Sequence, residues 1–248
     1  MIFVYILHEI SWPIECQLEN ITIDKYCSWN TAYFILSHSP HLQTLVLNDF
    51  RIDTFDDDVA TESYNKQYDH LTSLSLCIER TITMDDIESV LTVLPRLAHL
   101  RLSYMNMADN IHSLFDGDRW ENFIQTNLPL LKQFDIDLSY YFSSGHISNA
   151  MQSLIESFRT PFWLEIKHWI IQYDFVHQPT NYYREWTHHL YSIPIFADEF
   201  DCGLEKRNIY SIRNMPKNNE PIIVDVQKLI LDLNQIMTDN KQEQVTFV

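Results

Sequence analysis

With eleven histidines, four cysteines and thirty-four carboxylates, this chain has the raw material for metal and acid–base chemistry, so the spacing of these residues is the first test. A helical HExxH run sets two zinc-binding histidines on one face with a glutamate base between them. His8-Glu9 opens such a run, but Trp12 occupies the place of the second histidine. The acidic run Asp53 to Asp58 lacks the alternating ligands, central glycine and terminal glutamate of a calcium-binding loop. His188 and His189 are adjacent; on a helix their rings diverge by about 100° and cannot chelate one ion, so one partly buried and one solvated ring are expected. Serine, histidine and aspartate are all present, yet no nucleophile-elbow signature arranges them. The only glycines are Gly117, Gly145 and Gly203, too scattered for a phosphate cradle. Trp163, Trp169, Tyr182, Tyr183 and Trp186 read as core and cap residues and not as a ligand cage. The expectation is a non-enzymatic chain with no catalytic residue, metal or cofactor.

The formal charge of −17 argues against sequence-independent binding to nucleic acid or anionic lipid, both of which call for a basic surface. Between Asn48 and Val90 eleven carboxylates face only Arg51, Lys66 and Arg80. That stretch reads as a solvated edge, with a docking patch for a basic partner as the alternative. Cys16, Cys27, Cys77 and Cys202 form no CxxC pair, which fits free thiols in a reducing compartment. The apolar run Ile2 to Leu7 lacks a basic lead and is too short for a signal peptide. An intracellular protein, cytoplasmic or nuclear and without a membrane span, is expected.

The positions left for chemistry are therefore a matter of scaffold, and the scaffold shows a repeat. The pattern apolar-x-x-apolar-x-apolar returns as Leu18, Ile21, Ile23; Leu42, Leu45, Leu47; Leu71, Leu74, Leu76; Leu97, Leu100, Leu102; and Leu131, Phe134, Ile136. It closes as Val226, Leu229, Leu231, and Pro161, Leu164, Ile166 fit another unit. Leu190, Ile193 and Ile195 also fit, but Pro194 would remove a ladder hydrogen bond, so Phe200 and Cys202 are preferred as that strand's inward pair.

Side chains alternate across a strand, so the fourth and sixth positions point inward together. One strand cannot bury that face alone, whereas stacked neighbours share a core. Helices at Trp29 to Ser37, at Met84 to Leu94, after a cap at Asp118, and at Asn149 to Phe158 would return the chain outside, each followed by a proline: Pro40, Pro95, Pro129 and Pro161. This predicts an α/β fold: a leucine-rich-repeat solenoid of about eight irregular units, a curved parallel sheet with outer helices. The chain reads as one domain over 1–248, with repeats from about 14 to 240 and a frayed tail at 240–248.

If the fourth and sixth positions point inward, the third, fifth and seventh line the concave face. Its middle column is Thr22, Val46, Ser75, Arg101, Asp135, Glu165, Asp201 and Ile230. With their flanks, the candidate partner-binding residues are His99, Arg101, Gln133, Asp135, Trp163, Glu165 and Lys167. Arginine and tryptophan among them are types that often dominate interface energy. The expected partner is a protein, of unknown identity.

The segments Phe115 to Ile136 (FDGDRWENFIQTNLPLLKQFDI) and Ser157 to Tyr173 (SFRTPFWLEIKHWIIQY) resemble those of an expanded group of invertebrate F-box/leucine-rich-repeat proteins. The resemblance runs from about Leu18 to Leu233. It implies the substrate-binding part of a ubiquitin-ligase receptor, whose F-box module would dock on the ligase adaptor. Met1 to Pro13 is too short for a three-helix F-box, so an adaptor is a partner only if an F-box precedes Met1. A truncated or decoy paralogue is the alternative. The asparagine that follows the strand in regular repeats occurs only as Asn234, which predicts an irregular horseshoe.

Overall fold

A computed structural model describes residues 17–52, 66–78, 82–106, 111–142, 153–179, 184–193, 200–201, 208–214 and 229–230. Five strands follow one another in chain order: β1 (Asn20–Ser28), β2 (Thr44–Arg51), β3 (Ser73–Ile78), β4 (His99–Asn106) and β5 (Gln133–Phe142). All four neighbouring pairs are parallel, in the register set by the apolar triplets: Ile21 aligns with Leu45, Leu45 with Leu74, Leu74 with Leu100, and Leu100 with Phe134.

The same hydrogen bonds recur at each strand entrance. Gln43 and Thr44 both donate to the Glu19 carbonyl, Thr72 and Ser73 to that of Gln43, Ala98 and His99 to that of Thr72, and Lys132 and Gln133 to that of Ala98. A tight turn also recurs before β2, β4 and β5. Leu42 N–H donates to Ser39 O, Leu97 N–H to Leu94 O, and Leu131 N–H to Leu128 O. In each case a proline, Pro40, Pro95 or Pro129, takes the second place of the turn, where its fixed φ is already suitable.

Three helices precede these turns: α1 (Trp29–His38), α2 (Met84–Thr92) and α3 (Gly117–Asn127). Each starts at a side-chain cap. Ser28 accepts from Thr31 N–H, Thr83 and Asp86 form a reciprocal capping box, and Asp116, not Asp118, accepts from Arg119 N–H. Asp118 lies in the first turn, where its charge suits the helix dipole. Of the expected helix at Asn149 to Phe158, the described part is helical over 153–156.

The apolar stripes of these helices (Ala32, Ile35 and Leu36; Ile87, Val90 and Leu91; Trp120, Phe123 and Ile124) join the fourth- and sixth-position residues of the strands in one buried core. That core continues through Phe158, Phe162 and Trp163 to Ile171, Tyr173 and Leu190. The fold is therefore α/β, with strands and helices sharing one hydrophobic interior.

Beyond β5 the pattern changes. Leu164 to Ile166 is not a strand: Phe162–Ile166 forms a π-helical turn. Pro161 starts it with φ −55° and ψ −27°, the helical geometry that a proline ring favours at a helix start. Lys167 N–H donates to Phe162 O, and His168, at φ 55°, reverses the chain so that Trp169 N–H reaches Trp163 O. A histidine in left-handed geometry here plays the helix-ending role more often given to glycine.

Two long strands then form instead of a sixth parallel unit. They are β6 (Ile170–Pro179) and β7 (Arg184–Ile193), antiparallel to each other. β7 inserts between β5 and β6, antiparallel to both, and β9 (Asn208–Arg213) closes the far side. The eight-stranded order is β1-β2-β3-β4-β5-β7-β6-β9. A parallel neighbour needs a long outer crossover, whereas antiparallel strands need only a short connection; the few residues between β6 and β7 permit only the latter. β7 ends at Ile193, immediately before Pro194.

The expected strand at Val226 to Leu231 is described only at Leu229–Ile230 (β10). It pairs in parallel with Phe200–Asp201 (β8) in a separate two-stranded sheet, Leu229 opposite Phe200. Cys202 lies outside the described residues, as do Met1 to Cys16 and the tail from 240. Among the described residues no helix is long and apolar enough to cross a membrane.

Candidate functional site

The strand face opposite the helices is where the sequence places a binding surface, and strand pairing shows what it carries. Thr22, Val46, Ser75, Arg101 and Asp135 stand side by side on β1 to β5. One column away stand Asn20, Thr44, Ser73, His99 and Gln133. Small and hydroxyl side chains therefore floor the β1–β3 half. Asp24 on β1 accepts from Asn48 Nδ2 on β2 at 2.7 Å.

The β4–β9 half is a polar network. Gln133 Nε2 donates to Asp135 Oδ2 at 2.8 Å, and Arg101 Nε lies 4.0 Å from the same oxygen. Asp135 is nearly buried, and that desolvation raises its pKa although Gln133, Arg101 and His99 all act to lower it. Two residues further along β5, Asp137 Oδ1 lies 2.6 Å from His189 Nε2 on β7. The His189 ring stacks on Tyr191, centroids 4.5 Å apart.

Tyr191 OH donates to Asp174 Oδ2 on β6, and Gln172 Nε2 donates to Asp174 Oδ1. Arg213 Nε on β9 in turn donates to Gln172 Oε1. Burial, with the Asp174 carboxylate beside it, pushes the Tyr191 hydroxyl pKa upward, so Tyr191 remains a neutral donor. Side chains on five strands, β4, β5, β7, β6 and β9, thus form adjoining polar groups across the open face.

Four of the seven sequence-derived site residues, His99, Arg101, Gln133 and Asp135, come together here. The other three do not, because the π-helical turn replaces their strand. Trp163 is fully buried against Phe134, Phe158, Phe162 and Trp169. Glu165 is exposed on the turn. Lys167 Nζ donates to Leu131 O at 2.6 Å and lies over the Trp169 ring, so it ties the turn to the entrance of β5. Asp201 and Ile230, assigned to the middle column, belong to the separate two-stranded sheet.

Sequence reading missed His189, Tyr191, Gln172, Asp174 and Arg213 as face residues. A signal was there: Ile170 to Asp174 and Thr187 to Ile193 alternate core and open-face positions with a period of two, without the leucine triplet. His188 is buried and His189 partly exposed, a division set by strand alternation and not by helical divergence. His188 turns to the core side, where it hydrogen-bonds Tyr173.

As chemistry, the face offers charge-assisted and neutral hydrogen bonds to a docked molecule. Ser139 stands directly across from His189, yet the imidazole leans over Tyr191 instead, and among the described residues no serine or threonine hydroxyl hydrogen-bonds it. Nor do the described residues gather three histidine, cysteine or carboxylate side chains in a metal-binding group. Compared with protein-family models, curated proteins and solved structures, the chain matches none of them.

Proposed function

We propose that this chain is a leucine-rich-repeat solenoid acting inside the cell as a non-enzymatic protein-recognition scaffold, with its partner seated on the open sheet face around His99, Arg101, Gln133 and Asp135. One observation carries the reading. Four successive strand entrances repeat the same shared-carbonyl hydrogen bonds while the apolar triplets stay in register. This is how a solenoid keeps one face continuous while the core lies behind it. The sequence resemblance adds the second part of the proposal: the chain is the substrate-binding part of an F-box-type ubiquitin-ligase receptor.

Arg101 is exposed and lies beside Asp135, so Arg101→Gln, which brings no second carboxylate up to Asp135, should leave stability within about 1 kcal/mol. The same change should weaken partner recovery in proximity labelling by at least about tenfold if the face binds. Equal recovery of the same proteins by the variant removes the open face as the recognition surface. The ligase part is tested separately: the full-length transcript should encode an F-box module, and recovered partners should accumulate when the proteasome is inhibited.

A further inference from the structure

We infer that the open face at β5 and β7 docks an arginine of the partner, carried on an extended protein segment, with the guanidinium bonding the free Oδ2 edge of Asp137 and lying over the exposed face of the His189 ring. This rests on the recognition reading above and specifies the partner's chemistry.

The first argument is charge. Among the side chains described on the open face from β4 to β9 the carboxylates are Asp135, Asp137 and Asp174, and the guanidiniums are Arg101 and Arg213. The arginines are already engaged, Arg101 beside Asp135 and Arg213 with Gln172. Asp135 and Asp174 are likewise committed to neighbours. The whole chain is strongly acidic, so a cationic partner is drawn to it at long range.

The second argument is geometry. Asp137 spends only Oδ1, on His189, and its side chain is 41% exposed; among the described residues its Oδ2 accepts no hydrogen bond. His189 is backed by Tyr191 on one ring face and keeps a 26% exposed side chain. A planar guanidinium can bond a carboxylate edge and stack on a ring in one pose, which a lysine ammonium cannot. Ser139 and Ser103, both short, flank Asp137 on β5 and β4 and leave the approach low.

The test uses the full chain and a short labelled peptide alternating arginine and serine, with its citrulline counterpart as the isosteric uncharged probe. Wild type and Asp118→Asn should bind the arginine peptide alike, since Asp118 lies on an outer helix. Asp137→Asn should bind it about tenfold more weakly, as expected for loss of a charge pair, while Asp137→Glu should retain most of the binding. No binding, equal weakening by Asp118→Asn and Asp137→Asn, or equal binding of the citrulline peptide overturns the proposal. A photocrosslinking residue at Ser75 on the same face separates the two readings. Partner capture that the arginine peptide fails to compete sinks the arginine site alone, whereas no capture and no peptide binding sinks both.

Discussion

The Gly117 N–H donates to Ser157 Oγ at 2.9 Å, and a β-carbon on Gly117 would stand 2.7 Å from the Ser157 backbone. Real β-carbons do not come so close to backbone atoms, so the start of α3 and the turn before Pro161 can meet only through a glycine. Gly117→Ala should destabilise the protein by about 1–3 kcal/mol through overpacking, measured in denaturant melts. An unchanged midpoint would mean the two segments separate freely.

Trp163 and Leu100 test the core. Both are essentially fully buried, so Leu100→Ala should cost about 2–5 kcal/mol and Trp163→Ala about 3–5 kcal/mol. Chemical denaturation of each variant beside wild type measures this. A Trp163→Ala variant as stable as wild type would return Trp163 to the surface and reopen a strand at Leu164 to Ile166.

Asp135 gives a pH-dependent signature. Burial raises its pKa above the usual carboxylate value, so over that window the folded state binds more protons than the unfolded one. By linkage, the stability associated with protonated Asp135 is fully present below the unfolded pKa and is lost as pH rises through the folded pKa. Relative to Asp135→Asn, wild type should lose stability as pH rises from the usual carboxylate value, and the difference should level off at neutral pH. Melts of both proteins from acid to neutral pH measure it; a difference that grows in favour of wild type with rising pH reverses the sign and removes the burial argument.

The described thiols should differ in reactivity. Cys27 is buried, and desolvation with the nearby Asp49 carboxylate pushes its pKa up to about 12, so it remains a protonated, weak nucleophile at pH 8. Cys77 is only partly buried, beside Ser103 on the open face. In a variant with Cys16 and Cys202 replaced by serine, iodoacetamide should alkylate Cys77 at least about tenfold faster than Cys27 in the native state. Residue-resolved mass spectrometry reads both rates, and comparable rates would show that β1 opens or that Cys27 is misplaced.

The first five strands were legible because their signal is local. The pleat forces residues two apart onto one face, so Leu45 and Leu47 or Leu100 and Leu102 announce a buried edge without reference to any other strand. Prolines after the helices announce the turns for an equally local reason, their fixed φ. Register followed as well: each triplet has to meet its neighbour's triplet for the core to close, and a one-residue slip would expose all of it. His99, Arg101, Gln133 and Asp135 could be placed on one face by counting alone.

What counting could not supply is the choice of partner strand. Leu164 and Ile166 carry the right spacing for a sixth unit, and that spacing suits a helical turn as well. The helical geometry at Pro161 and the aromatic pocket of Phe134, Phe158, Phe162 and Trp169, which draws Trp163 inward, decided for the turn. The insertion of β7 between β5 and β6 is likewise non-local, since it depends on which edge is open once β5 is in place. Only that pairing sets His189 beside Asp137 and Tyr191 beside Asp174. Apolar alternation is written residue by residue along the chain, whereas the meeting of polar side chains from distant segments is settled when the sheet closes.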